Sequence, residues 1–115
     1  MSTSAQLRLT RRSAAAASVF AALGDPTRLN LVAKLSDGSR RSISQLADGE
    51  QLTRQAVRKH LQVLETASVV SSRKTGRESL FALNPKPLDD AGTYIALVSG
   101  EWDRSLARLK SFVKG

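Results

Sequence analysis

Five long hydrogen-bonding side chains, Arg54, Gln55, Arg58, Lys59 and Gln62, fall on the outward side of one predicted helix, with no acid among them before Glu65. Their chemistry suits the edge of a nucleic-acid base. Arg can bond guanine O6 and N7 in bidentate fashion, Gln can do the same at adenine N6 and N7, and Lys engages phosphate or guanine. Thr53 stands where it can cap this helix, and the first turn then aims backbone N–H groups and the positive end of the helix dipole at phosphates. An ordinary solvated helix face mixes both signs for i,i+4 pairing, whereas this one is cationic over most of two turns. Arg73, Lys74 and Arg77 gather a second cationic group around Gly76. Hairpin edges also carry Lys and Arg merely to block strand pairing, but directly after such a helix, contact with phosphate or a minor groove is the better expectation.

The charge is concentrated there. Between Arg40 and Arg77 lie 8 basic and 3 acidic residues, a net +5 within 38 positions, against +8 for the whole 115-residue chain. A domain with a pI near 10.9 repels itself, and a polyanionic partner offsets that. With 41% apolar residues the chain can still bury a core, so the charge belongs to a folded domain. Cysteine is absent, which excludes a disulfide scaffold, a thiol nucleophile and any thiolate metal site, and fits a reducing, cytoplasmic setting. His60 is the only histidine. A lone imidazole with no nucleophile or second ligand makes no catalytic or metal site; a packed, partly buried ring is expected. No glycine-rich phosphate loop is present either, so no enzyme is expected.

The elements that must position these residues can be read along the chain. Residues 1–12 lack periodicity and are expected to form a flexible basic arm carrying Arg8, Arg11 and Arg12. Arg11-Arg12 followed by an alanine-rich run has the layout of an export signal. The run is a far better helix former than a membrane-inserting segment, and it stops at Gly24-Asp25-Pro26, which reads as one helix ending and another starting. No stretch approaches the roughly 20 apolar residues of a membrane span. A first helix is therefore expected over about 13–23, with Ala16, Val19, Phe20 and Leu23 on one stripe. A second starts at Asp25-Pro26 and buries Leu29, Val32 and Leu35. Residues 39–42 form a basic connector with a brief strand.

Ser44 is expected to cap a short third helix, and Thr53 a fourth that runs to about Ala67 with Val57, Leu61 and Leu64 inward. The spacing of Ala47, Leu52, Val57 and Leu61 suits two helices crossing at a tight turn, a helix-turn-helix. Residues 69–74 and 78–83 flank Thr75-Gly76-Arg77 as a β-hairpin. After Asn84-Pro-Lys-Pro87 comes a last helix of about 25 residues, apolar at Leu88, Ala91, Ile95, Val98, Trp102, Leu106, Leu109 and Val113. Tyr94, Trp102 and Phe112, three of the five aromatics, lie in this segment. One small domain cannot cover such a helix alone. A twofold dimer pairing it with the first helix would, through Val19, Phe20, Ile95, Val98, Trp102, Leu106 and Leu109. The expected fold is mainly α with a small β-hairpin, in the order α-α-α-α-β-β-α, and residues 13–115 form a single winged-helix domain.

At this point the chain resembles a known family. Leu23-Gly-Asp-Pro-Thr-Arg-Leu29, Gln45-Leu-Ala47, Thr53-Arg-Gln-Ala-Val-Arg-Lys-His-Leu61, Val63-Leu-Glu-Thr-Ala67 and the stretch from Arg73 to Leu83 are similar, in order and spacing, to the ArsR/SmtB winged-helix repressors. The resemblance covers about residues 14–113. It implies a homodimer that binds an inverted-repeat operator in double-stranded DNA and represses transcription, often its own. Gln55, Arg58 and Lys59 match family positions that face DNA, and Arg77 matches the wing. Together with the residues above, the expected DNA-contacting set is Thr53, Arg54, Gln55, Arg58, Lys59, Arg73, Lys74 and Arg77. A winged-helix module for RNA or a protein partner is the alternative.

Two departures concern turns: Gln51 stands where a helix-turn-helix commonly has Gly, and Ser68 where the family usually has Gly after the recognition helix. A non-Gly residue at positive φ costs about 1 kcal/mol, so slight reshaping is expected. A third concerns metals. Ser42 and Ser44 fall about where metal-sensing members carry cysteines, and the last helix offers Asp89, Asp90, Glu101 and Asp103 but no histidine. Zn, Cu or As sites of those kinds cannot be assembled from these residues, so no metal or cofactor is expected. A small-molecule effector would have to bind the two functional states unequally, and no residue identifies one.

Overall fold

The computed structural model describes residues 4–114, without the side chains of residues 5, 6, 8–12 and 114. Five helices and a three-stranded antiparallel sheet follow in the order α1 (Ser4–Leu23), α2 (Pro26–Leu35), β1 (Arg41–Ser42), α3 (Ile43–Ala47), α4 (Arg54–Thr66), β2 (Val70–Thr75), β3 (Glu78–Leu83) and α5 (Pro85–Lys114). The sheet order is β1-β3-β2. Leu31, Leu35, Leu46, Val57, Leu61, Leu64, Val69 and Val70 are fully buried and bring α2, α3, α4 and the sheet onto one core.

The alanine-rich run belongs to that core: Ala16, Val19 and Ala22 are buried in it or at its edge. Helix α1 begins at Ser4, well before the expected start near 13, which corrects the irregular arm. Residues 4–12 hold no Gly or Pro, and once the alanine run pays for nucleation, each further residue adds a hydrogen bond. Met1 to Thr3, and the side chains of Arg8, Arg11 and Arg12, lie outside the described residues. In α2, Leu31 and Leu35 form the buried i,i+4 pair and Val32 packs partly against the core, as expected for Val32 and Leu35, while Leu29 is exposed and Leu31 takes its place on the inner face.

Local chemistry fixes the joints. Asp25 caps α2, its carboxylate accepting from the Arg28 N–H at 3.1 Å, with Pro26 in the first turn where a missing N–H costs nothing. Helix α3 is capped by Ser42 rather than Ser44: Ser42 Oγ accepts from the Gln45 N–H, and Gln45 Oε1 accepts from the Ser42 N–H at 2.8 Å. This reciprocal box satisfies two donors at once, which Ser44 could not do with Ala47 three residues on. At the other end of α3, Lys34 Nζ donates to the carbonyls of Leu46 and Asp48 and meets the Glu50 carboxylate at 3.2 Å. Positive φ in this turn falls on Gly49, at +81°, so Gln51 needs no special backbone.

Ser68 does carry the cost. Its φ is +62°, and it closes α4 with Ser68 N–H to Glu65 O and Val69 N–H to Leu64 O, both 2.9 Å, while Leu64 and Val69 bury against each other's turn. Ser68→Gly is expected to raise stability by about 0.5–1 kcal/mol, because glycine meets no Cβ penalty there; urea unfolding of the two proteins measures it. A second effect concerns acid. Bonds from the hydroxyl and N–H of Ser39, then the Arg41 guanidinium, lower the Asp37 pKa from 3.8 to about 2. The folded state therefore holds its proton less tightly than the unfolded chain. Its stabilising contribution is complete above pH 4 and fades as pH falls from about 4 to 2. Asp37→Asn is accordingly expected to lower thermal stability at pH 7, with the difference closing by pH 2.

Helix α5 differs from expectation only at its start. Pro85 and Pro87 lie in its first turn, where N–H groups lack partners anyway, so the helix absorbs the proline pair and reaches 30 residues. It packs along α1, with Phe20 and Tyr94 in tilted ring contact at 6.0 Å.

Candidate nucleic-acid interface

Helix α4 is amphipathic by construction. Val57, Leu61 and Leu64 take its inner face to zero exposure, which leaves Arg54, Gln55, Arg58, Lys59 and Gln62 exposed on the remainder. Thr53 Oγ1 accepts from the Ala56 N–H at 3.0 Å and sets the helix start. The short turn after α3 places α4 as the second helix of a helix-turn-helix.

The hairpin completes the site. Strands β2 and β3 pair from Val70↔Leu83 to Thr75↔Glu78, leaving Gly76-Arg77 as a two-residue loop with Gly76 at φ +64°. Glycine as first loop residue is the sequence such tight loops require. Between α4, the start of α3 and this hairpin lies an open cleft of about 310 Å³, lined by Arg54, Arg58, Lys74, Arg77 and Glu78 with Ser42, Ser44 and Ser79. Four cations thus converge from two elements, α4 and the hairpin. Among the described residues none of the four is in an ion pair.

Not every expected residue joins them. Lys59 and Gln62 lie on the opposite flank of α4, in a shallow groove against Ser18, Ala21 and Ala22 of α1. Arg73 is exposed, but strand alternation sets it on the other face of the hairpin from Lys74. Gln55 and Thr53 are exposed on α4 and its cap, outside the cleft. Ser79 and Glu78 were not expected here, and Ser42 and Ser44 were expected only where the family carries cysteines or, for Ser44, as a helix cap. The one available signal was that Glu78 adjoins Arg77 at the loop.

His60 turns inward. Its Nδ1 is 3.1 Å from an Arg28 guanidinium nitrogen and 3.8 Å from Asp25 Oδ2. Guanidinium only donates, so Nδ1 accepts and the ring proton sits on Nε2; at 3.8 Å Asp25 is an electrostatic neighbour, not a bonding partner. The Asp25 carboxyl is held below its usual pKa, foremost by the Arg28 backbone N–H. Arg28 also donates to the Ala22 and Ala21 carbonyls. The Asp-Pro-Thr-Arg segment is thus the bolt joining the end of α1, the start of α2 and the back of α4.

The dimer-face expectation divides as well. Ile95, Val98, Trp102 and Leu109 are exposed on α5, Trp102 at 63%. Phe20 and Leu106 are half-buried. Val19, only 4% exposed, is corrected: it belongs to the chain's own core and has no face left to offer. Phe112 and Val113 extend the apolar stripe to the end of the helix.

These features have counterparts in known proteins. A helix-turn-helix domain family matches residues 23–73. The HTH-type transcriptional regulator YuzN of Bacillus subtilis (strain 168) is 36% identical over 76 residues, 61% of this chain and 83% of YuzN. An ArsR-like transcriptional regulator from Rhodococcus sp. RHA1 superimposes with a TM-score of 0.74 at 38% identity, over 86% of this chain and 92% of that one. The chain belongs to the ArsR/SmtB family of helix-turn-helix transcriptional regulators. Within it, the HTH-type transcriptional repressor SmtB of Mycobacterium tuberculosis is 35% identical over 69 residues, 60% of this chain but half of SmtB. The family's helix-turn-helix is a DNA-binding domain, and α4 lies within the residues that match it. Among the described residues no three His, Asp or Glu side chains converge on a common point. No described helix is long and apolar enough to cross a membrane.

Proposed function

We propose that this regulator is a sequence-specific repressor that binds an inverted-repeat operator in double-stranded DNA as a homodimer, without responding to metals. The observation that carries the DNA reading is the cleft in which Arg54, Arg58, Lys74 and Arg77 converge on the exposed side of α4. Two such helices, held by paired α1 and α5, enter successive major grooves about one helical turn apart. Phosphate neutralisation by helix and wing cations supplies most of the affinity, and Arg54, Gln55 and Arg58 most of the sequence choice. Repression follows from occupying a promoter against polymerase.

The dimer is supported by the uncovered stripe on α5, which is too apolar to leave in water over several turns. Independence from metals is supported by the ligand chemistry: one histidine, already engaged with Arg28, and no cysteine. Selection of bound sequences from random duplexes tests the proposal. A palindromic motif with half-sites about 10 base pairs apart is the expected result, and Arg58→Ala is expected to relax one position in each half. Duplex RNA or single strands that outcompete duplex DNA would favour the alternative of an RNA-binding module.

A further inference from the structure

We propose that Glu78 is a specificity-determining residue of the DNA-reading cleft: its carboxylate accepts a hydrogen bond from an exocyclic base amine and penalises sequences that present none there. The inference rests on the DNA-binding proposal above.

Glu78 is an acid in an unexpected place. Glu78 lines the same cleft as Arg54, Arg58, Lys74 and Arg77, yet among the described residues it forms no ion pair with any of them. A carboxylate serving only to quiet neighbouring cations would be bonded to one. Its place is held by backbone rather than by side-chain contacts, since Glu78 pairs with Thr75 to close the Gly76-Arg77 loop. An ionised carboxylate is acceptor-only. DNA backbone offers it no donor, only like charge. Base edges do offer donors: the amines of cytosine and adenine in the major groove and of guanine in the minor groove. A carboxylate in this cleft therefore weakens binding to duplex in general and recovers the loss only where an amine is within reach. The surrounding cations supply indiscriminate attraction, and Glu78 subtracts from it selectively.

The test compares the full chain with Glu78→Ala, both put through selection from random duplexes and then titrated with the selected and a non-selected duplex. Glu78 is exposed, and circular dichroism checks that the variant keeps its fold. The variant is expected to bind the non-selected duplex roughly fivefold more tightly, the size of one unit-charge repulsion at about 4 Å in water. Its recovered motif is expected to lose preference at one position per half-site, with discrimination there falling roughly 5- to 100-fold. Where that position is a G·C pair, inosine in place of guanine separates its two amines: it removes the minor-groove donor and leaves the cytosine amine in place; an A·T pair there offers only the adenine amine. An unchanged motif, or unchanged affinity for the non-selected duplex, would overturn the inference while leaving DNA binding intact. Failure of the natural sequence to enrich any duplex motif would overturn both.

Discussion

Raising salt from about 50 to about 200 mM is expected to weaken binding to duplex DNA by roughly 10³- to 10⁵-fold, the loss for a protein that contacts 6–10 phosphates. The number of contacts follows from the site. Each protomer of the proposed dimer brings four cations to one cleft and keeps Lys59 and Arg73 exposed on flanking faces, so two protomers reach that range even if some side chains address bases. Because released counterions drive the effect, log affinity should fall linearly with log salt, with a slope near −0.9 per phosphate. A fluorescence-anisotropy titration at four or five salt concentrations reads the slope directly. A nearly flat response would mean that these cations do not meet a polyanion. Arg54→Ala with Lys74→Ala should flatten the slope by about two per protomer if both contact phosphate. That comparison separates phosphate contacts from base contacts.

The second large effect concerns assembly. Trp102→Asp combined with Leu109→Asp is expected to convert the proposed dimer to a monomer and to cost at least about a hundredfold in affinity for the full selected site, the usual contribution of a tethered second binding event. Both side chains are exposed on one protomer, so their replacement leaves the core of the single chain untouched. Burying a large apolar side chain is worth roughly 1.5–3 kcal/mol, and a charge in its place adds a desolvation cost on both protomers. Sedimentation or light scattering gives the oligomeric state, and affinity for an isolated half-site gives the control. That affinity should barely change, because α4 and the hairpin are distant in sequence from the substitutions and rest on a core that contains neither side chain. A dimer that persists with both aspartates in place would move the interface elsewhere.

Much of this molecule is local in origin. The inward positions of α4, its Thr53 cap, the hairpin about Gly76 and the Asp25-Pro26 helix start all follow from periodicities and caps within a dozen residues. Physical chemistry acting within one or two turns decides them. The misjudged starts of α1, α3 and α5 share a different cause. Each is a helix end where more than one start is permitted: propagation from the alanine run carries α1 back to Ser4, the Ser42–Gln45 box fixes α3, and tolerance of proline in a first turn lets α5 begin at Pro85. Ser68 takes a positive φ and accepts the strain, because the turn there lets Leu64 and Val69 both bury.

Charge, the absence of cysteine, the amphipathic fourth helix and the basic hairpin were settled by residue types alone, since they require no knowledge of what lies across the fold. Only the tertiary structure could sort the cations into those that share a cleft and those that do not. Arg54 and Arg58 join Lys74 and Arg77 because helix and hairpin pack on one core, whereas Lys59, one residue along, is carried by the 100° helical step to another flank. The same packing withdrew Val19 from any interface, turned His60 to Arg28 and set Glu78 among the arginines. Each outcome depends on distances between residues far apart in the chain.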